Sequence, residues 1–183
     1  FEVVDTTLKT VTLADTGNGV RIFSVVPSLD TPVCDMQTKK FNDEAAKLPA
    51  VAFYTVSVDL PFAQNRWCTS FGVDNVKMIS DHKFASFGEN YGTLITDWRV
   101  ESRAIFVVGK DNTVAYVEYV PEVAQHPDYD AALTYYIKAA AADEGDVSWR
   151  AQSLIEDTKR RVEEEKAKQD SSPPESETAP APT

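Results

Sequence analysis

Val20-Arg21-Ile22-Phe23-Ser24-Val25-Val26 runs directly into Pro27-Ser28-Leu29-Asp30-Thr31-Pro32-Val33-Cys34. The first seven residues form a strand-length, mostly apolar and β-branched run, the pattern of a strand buried on both faces. Beyond the loop that follows, residues 34–48 are predicted as a helix, with Phe41, Ala45 and Leu48 on one face. A buried strand passing through a short loop into a helix puts Cys34 at the carboxyl end of a sheet, where open α/β folds hold their sites. The unpaired backbone N–H groups and the positive dipole end of a first helical turn favour an anionic sulfur there. A buried, inert core cysteine is the competing reading. The prolines and threonine around Cys34 fill a core poorly and weigh against it.

Outward from this stretch, strands and helices alternate. Residues 50–58 read as a second buried strand. Pro61 opens a helix through residue 71, its missing N–H harmless in the first turn. A short strand (76–80), a short helix (84–91) and a hairpin (104–108 with 114–120, turning at Lys110-Asp111-Asn112) follow. A helix over 128–142 closes the series, and strands expected at 1–4 and 10–13 precede it. Strand–helix–strand units require parallel pairing with right-handed crossovers, whereas the late hairpin supplies antiparallel edge strands. The expected class is α/β: a three-layer thioredoxin-like fold, a central mixed β-sheet flanked by helices.

Composition bounds what such a domain does. The chain has 183 residues, 43% hydrophobic and 10% aromatic, which excludes wholesale disorder. With 18 basic against 29 acidic side chains and a net charge of −11, it repels phosphate backbones, so no nucleic-acid partner is expected. No apolar run approaches the ~18 residues of a membrane span, so no membrane partner is expected either. Phe1 is followed by no charged-then-apolar leader. Two cysteines, 34 and 68, make neither a CxxC pair nor a disulfide scaffold nor a four-thiolate zinc site. His82 and His126 lack an H-x-x-x-H partner and read as surface or turn residues; neither metal nor cofactor is expected. Composition breaks near residue 143: residues 1–142 form the folded domain. Residues 143–168 read as a charged helix, with Ala151, Leu154, Ile155, Thr158 and Val162 on a sparse apolar stripe. The stretch QDSSPPESETAPAPT, 169–183, reads as a disordered acidic, proline-rich tail.

Pro27, Thr31 and Cys34 stand in the P-x-x-x-T-x-x-C register, the active-site signature of peroxiredoxins. Gln37-Thr38-Lys39-Lys40-Phe41-Asn42 resembles the helix after the peroxidatic cysteine in thiol peroxidases. Residues 59–68, DLPFAQNRWC, resemble the segment bearing that group's resolving cysteine, and 101–108, ESRAIFVV, the strand that delivers its active-site arginine. Four segments in order over about residues 1–142 resemble a thiol peroxidase of the atypical two-cysteine peroxiredoxin group. That group usually carries an N-terminal hairpin before the position of Phe1, and the segment after residue 142 is additional to its pattern.

The resemblance implies roles. Cys34 is the peroxidatic nucleophile, Thr31 hydrogen-bonds sulfur and peroxide, Arg103 holds the thiolate and polarises the substrate, and Pro27 shields the sulfur from water. Cys68 is the resolving cysteine, closing an intrachain disulfide that a thioredoxin-type reductant reopens. It further implies hydroperoxide substrates, a homodimer packed around the active-site loops, and a reducing compartment, the cytoplasm. Arg66, Lys39 and Lys40 read as solvated helix residues. Phe62, Trp67, Phe84, Phe87, Tyr91 and Trp98 read as core or rim aromatics, some forming an apolar collar for alkyl hydroperoxides. A thiol–disulfide oxidoreductase on the same fold and a non-catalytic interaction protein are the alternatives.

Overall fold

Side-chain alternation along the central strands decides the layers. The computed structural model describes residues 1–48, 52–122 and 124–141. Strands β1 (Glu2–Asp5), β2 (Thr10–Thr12), β3 (Arg21–Val25), β4 (Ala52–Ser57) and β5 (Val76–Ser80) are followed by β6 (Leu94–Ile95), β7 (Val100–Glu101), β8 (Ala104–Val108) and β9 (Val114–Tyr119). Helices α1 (Pro32–Lys47), α2 (Pro61–Phe71), α3 (Ser86–Tyr91) and α4 (Tyr129–Ala141) connect or close them. Seven strands form one sheet in the order β2-β1-β5-β4-β3-β8-β9, and β6 with β7 forms a separate ribbon. The β3, β4 and β5 strands are parallel; the other pairings are antiparallel.

With a period of two, Ile22 and Phe53 face one side while Phe23 and Tyr54 face the other. The first side is covered by α1, α2 and α4, through Phe41, Trp67, Leu133 and Ile137. The second carries Phe87 and Tyr91 of α3 with Phe1, Phe23 and Phe106 in one aromatic cluster. This is the three-layer mixed α/β fold expected, with strands and helices close to their anticipated bounds. Pro32 and Pro61 each stand at the first helical turn.

Two differences have physical causes. The hairpin is not wholly at an edge: β8 lies inside the sheet against β3, and only β9 is an edge. Ala104, Ile105, Val107 and Val108 are buried on both faces, a continuous apolar run that suits an interior position. The β6–β7 ribbon was not anticipated, because two residues a side carry no legible period. The helix and tail expected over 143–168 and 169–183 lie outside the described residues. Among the described residues, no helix is long and apolar enough to cross a membrane.

Candidate active site

The carboxyl ends of β3, β4 and β5 lie side by side, so the segments leaving them meet. Val26 N–H still pairs with the Val56 carbonyl at 2.9 Å, and buried Pro27 then ends the strand. The loop that follows is pinned from β4's exit by Asp59. Its carboxylate accepts bonds from Ser28 Oγ at 2.7 Å, Leu29 N–H at 2.8 Å and Ser57 Oγ at 2.8 Å. Thr31 is the extended N-cap of α1, and its hydroxyl donates to the Ser28 carbonyl at 3.0 Å. Cys34 therefore stands in the first turn of α1, with its side chain wholly buried.

Arg103 enters from the start of β8, and its carbonyl accepts the Val120 N–H at 3.0 Å beyond β9. Arg103 is 1% exposed. Its Nη2 donates to Cys34 Sγ at 3.3 Å, and its Nη1 to Gln37 Oε1 at 2.5 Å. Burying a guanidinium is costly unless it is hydrogen-bonded and its charge is met. Cys34 Sγ faces that charge at contact distance, and the first-turn helix dipole points toward the same sulfur. Gln37 is itself fixed, because its Nε2 donates to Ser24 Oγ at 2.7 Å. The chain Ser24–Gln37–Arg103–Cys34 is thus a buried, oriented set.

Sequence reasoning missed Gln37 as an orienting residue and Asp59 as the loop's anchor. A signal existed for the first: Cys34, Gln37 and Phe41 share a helix face, so a glutamine there is buried and needs a partner. For Asp59 none existed beyond its place at a strand's carboxyl end. Tyr129 was likewise unassigned. Its ring packs edge-on against Phe41 at 5.3 Å and its oxygen lies 2.7 Å from His126 Nδ1. Burial pushes the Tyr129 hydroxyl upward against the pull of Arg103, so it stays neutral. His126 is exposed in a loop, as a surface residue should be; partial desolvation first, then the cations Arg103 and Lys40, hold its imidazole below the usual range. His82 sits in a turn, its Nδ1 2.8 Å from Ser80 Oγ.

Cys68 lies apart. It stands in the last turn of α2, half-buried, at the margin of the apolar core that includes Cys34. Both thiols are free. Burial pushes the Cys68 thiol up to about 11. It lines a pocket of about 470 Å³ with Asn65, Asp74 and Lys77, and none of Pro27, Thr31, Cys34 or Arg103 does so. Lys39 and Lys40 are not simply solvated, because their ammonium groups lie over the rings of Phe71 (3.6 Å) and Tyr129 (4.4 Å). Trp67 and Phe87 are buried, whereas Phe62, Phe84 and Trp98 are exposed.

The redoxin family profile matches residues 1–133. The chain is similar to the thiol peroxidase of Halalkalibacterium halodurans, 53% identical over 133 residues that make up 73% of this chain and 80% of that one. Against the thiol peroxidase of Staphylococcus aureus it is 53% identical over 136 residues, 74% of this chain and 82% of that one. Among solved structures, it resembles a peroxiredoxin-like protein from Aquifex aeolicus, with 39% identity and a TM-score of 0.70 over 75% of this chain and 82% of that one.

Proposed function

Because the chain belongs to the redoxin family and, within it, to the thiol peroxidases, we propose that Cys34 is its peroxidatic nucleophile and Cys68 its resolving cysteine. Thiol-dependent peroxidase activity comes with that membership and sets aside the oxidoreductase and interaction-protein alternatives. One observation carries the assignment of the nucleophile: the buried Arg103 guanidinium 3.3 Å from Cys34 Sγ.

The Cys34 thiolate attacks one oxygen of a hydroperoxide, forming an S–O bond as the O–O bond breaks. The sulfur loses two electrons and becomes a sulfenic acid; the departing oxygen takes a proton and leaves as water or an alcohol. Arg103 holds the sulfur anionic beforehand and faces the charge that develops on oxygen. Thr31 has its own proton committed to Ser28, so its oxygen lone pairs are left to accept the peroxide O–H and orient it. Pro27 closes the pocket against water.

Cys68 then attacks Cys34 Sγ. The S–S bond forms, the S–O bond breaks and oxygen leaves as water. A disulfide needs Cα atoms within ~7 Å, and both sulfurs start on helices, so local unwinding precedes closure. A thioredoxin-type dithiol reductant returns both cysteines by exchange, becoming a disulfide itself. Hydroperoxides are the substrates. A homodimer packed around the active-site loops and a reducing compartment, the cytoplasm, complete the reading. Phe62 and Phe84, exposed near the strands' carboxyl ends, suit an apolar collar for alkyl hydroperoxides.

One equivalent of hydrogen peroxide is expected to convert the reduced chain to a Cys34–Cys68 disulfide in peptide maps. Cys34→Ser is expected to abolish peroxide consumption, while Cys68→Ser retains one turnover and fails to cycle with thioredoxin. Full cycling of Cys68→Ser would remove Cys68 from the mechanism. Comparing cumene hydroperoxide with hydrogen peroxide tests the collar.

A further inference from the structure

The two halves of α2 are held differently. Near its start, Gln64 Nε2 donates to Ser57 Oγ at 3.1 Å and to the Ile79 carbonyl at 3.2 Å, which fastens this half to the sheet. Among the described residues, the half bearing Cys68 has no such tie to a strand from its own polar side chains: Thr69 and Ser70 donate to carbonyls of α2. Trp67 is buried, Phe71 is half exposed, and their rings lie 5.2 Å apart, one on each side of Cys68 in sequence.

A side chain from α1 lies across these rings. Lys39 Nζ is 3.6 Å from the centroid of Phe71 and 5.8 Å from that of Trp67. The same ammonium group is paired with Asp35 at 2.8 Å, the residue next to Cys34. Asp35 thus fixes the cation, and the cation fixes the aromatic faces that α2 turns toward α1. Two further α1 features reach this end: Trp67 shares the apolar core with Phe41 and Ala45, and Asn42 Oδ1 accepts the Asp74 and Asn75 N–H groups beyond the helix. When the last turns of α2 unwind, the Gln64 anchor can persist, but the Lys39 contact cannot.

We propose that Lys39 is a positioning residue of the resolving step: it clasps Phe71 and Trp67 and so sets how often the Cys68 end of α2 is released. This rests on the reading of Cys68 as the resolving cysteine. A tighter clasp lengthens the life of the Cys34 sulfenic acid, during which a second peroxide carries it to the sulfinic acid. A looser one favours the disulfide. Lys39 takes no part in the attack on peroxide.

The test uses the full chain with Lys39→Met, Phe71→Leu, the pair together, and Lys39→Arg. Iodoacetamide labelling of Cys68 in the reduced protein, read by peptide mapping, reports release of the helix end without requiring any disulfide. Closure after one equivalent of hydrogen peroxide reports its effect on the reaction. Each single change is expected to raise both rates about two- to fivefold, the range of an exposed cation–π contact. The pair is expected to exceed neither single, since both remove one contact. Lys39→Arg, which keeps the cation, is expected near the parent, and Cys34 oxidation is expected unchanged in Phe71→Leu. Unaltered labelling in both singles, multiplied effects in the pair, or faster labelling without faster closure in a chain that closes would overturn the proposal. Absence of a Cys34–Cys68 disulfide in the parent would instead overturn the resolving role, with labelling still deciding whether Lys39 holds α2.

Discussion

Cys34 stands in the first turn of α1 and Cys68 in the last turn of α2, and the two surroundings differ in almost every physical respect. At a helix start the dipole and free N–H groups favour negative sulfur; at a helix end the carbonyls oppose it. Around Cys34 are Arg103 and, behind it, Gln37 and Ser24, all buried and hydrogen-bonded in series. Cys68 is flanked in sequence by the Trp67–Phe71 ring pair, and burial, opposed by a backbone hydrogen bond, pushes its thiol up to about 11. The contrast teaches a division of labour. On the proposed roles of Cys34 and Cys68, the peroxide step is prepared in the resting fold, while the resolving step waits for the fold to open locally.

The strongest way to break that contrast is to remove the preparation at Cys34. Arg103→Met is expected to slow Cys34 oxidation by about 10²-fold, the usual scale for one oriented charge-stabilising donor. Disulfide closure in the same variant, followed after a long peroxide exposure, is expected to change far less. Equal losses in both steps, measured by stopped-flow fluorescence, would mean that Arg103 supports the fold rather than the nucleophile.

A smaller effect comes from pH at Cys68. Its folded thiol is raised above the ordinary range of about 8.5. The sign is that of any group raised on folding. The closed arrangement of α2 is favoured fully below about pH 8.5 and loses that support as pH rises toward 11. Attack requires the thiolate, which the opened segment forms near the ordinary value. Closure is therefore expected to quicken about tenfold per unit between pH 7 and 8 and to level off above 9. A closure rate that does not change with pH across that window would make Cys68 as prepared as Cys34.

The least effect is expected where neither cysteine is touched. Glu101, two residues before Arg103, is wholly buried, and its Oε2 accepts the Thr93 hydroxyl at 2.5 Å. Burial, helped by the neighbouring Asp81 carboxyl and opposed by Thr93, holds the Glu101 carboxyl well above the usual carboxylate range. Such a group stabilises the fold below the ordinary carboxylate value, and the contribution is lost as pH rises through the raised one. Thermal melts are expected to lose about 2–4 °C per kcal/mol across that interval. Glu101→Gln is expected to flatten the dependence without altering either cysteine step. An unchanged dependence would place the titration elsewhere.

Much of this was legible in the chain itself. Pro61 marks a helix start, apolar runs mark β3 and β4, the hairpin pattern marks β8, and the spacing from Pro27 to Cys34 picks out the loop. What could not be read were the partners of those residues. Gln37 meets Arg103 across 66 positions and Asp59 meets Ser28 across 31, distances over which local periodicity says nothing. Lys39 looked solvated because nothing in its own helix announces a ring from α2. The raised Cys68 thiol was not legible for the same reason, since the depth of burial arises from packing between elements.

Time-resolved quenching after one equivalent of hydrogen peroxide, with dimedone trapping and peptide mapping, tests the division of labour most directly. The account predicts a dimedone adduct on Cys34 while Cys68 is still a free thiol, followed by its replacement with the Cys34–Cys68 disulfide. A first adduct on Cys68, or Cys34 sulfenic acid that persists with no disulfide to follow, would contradict it.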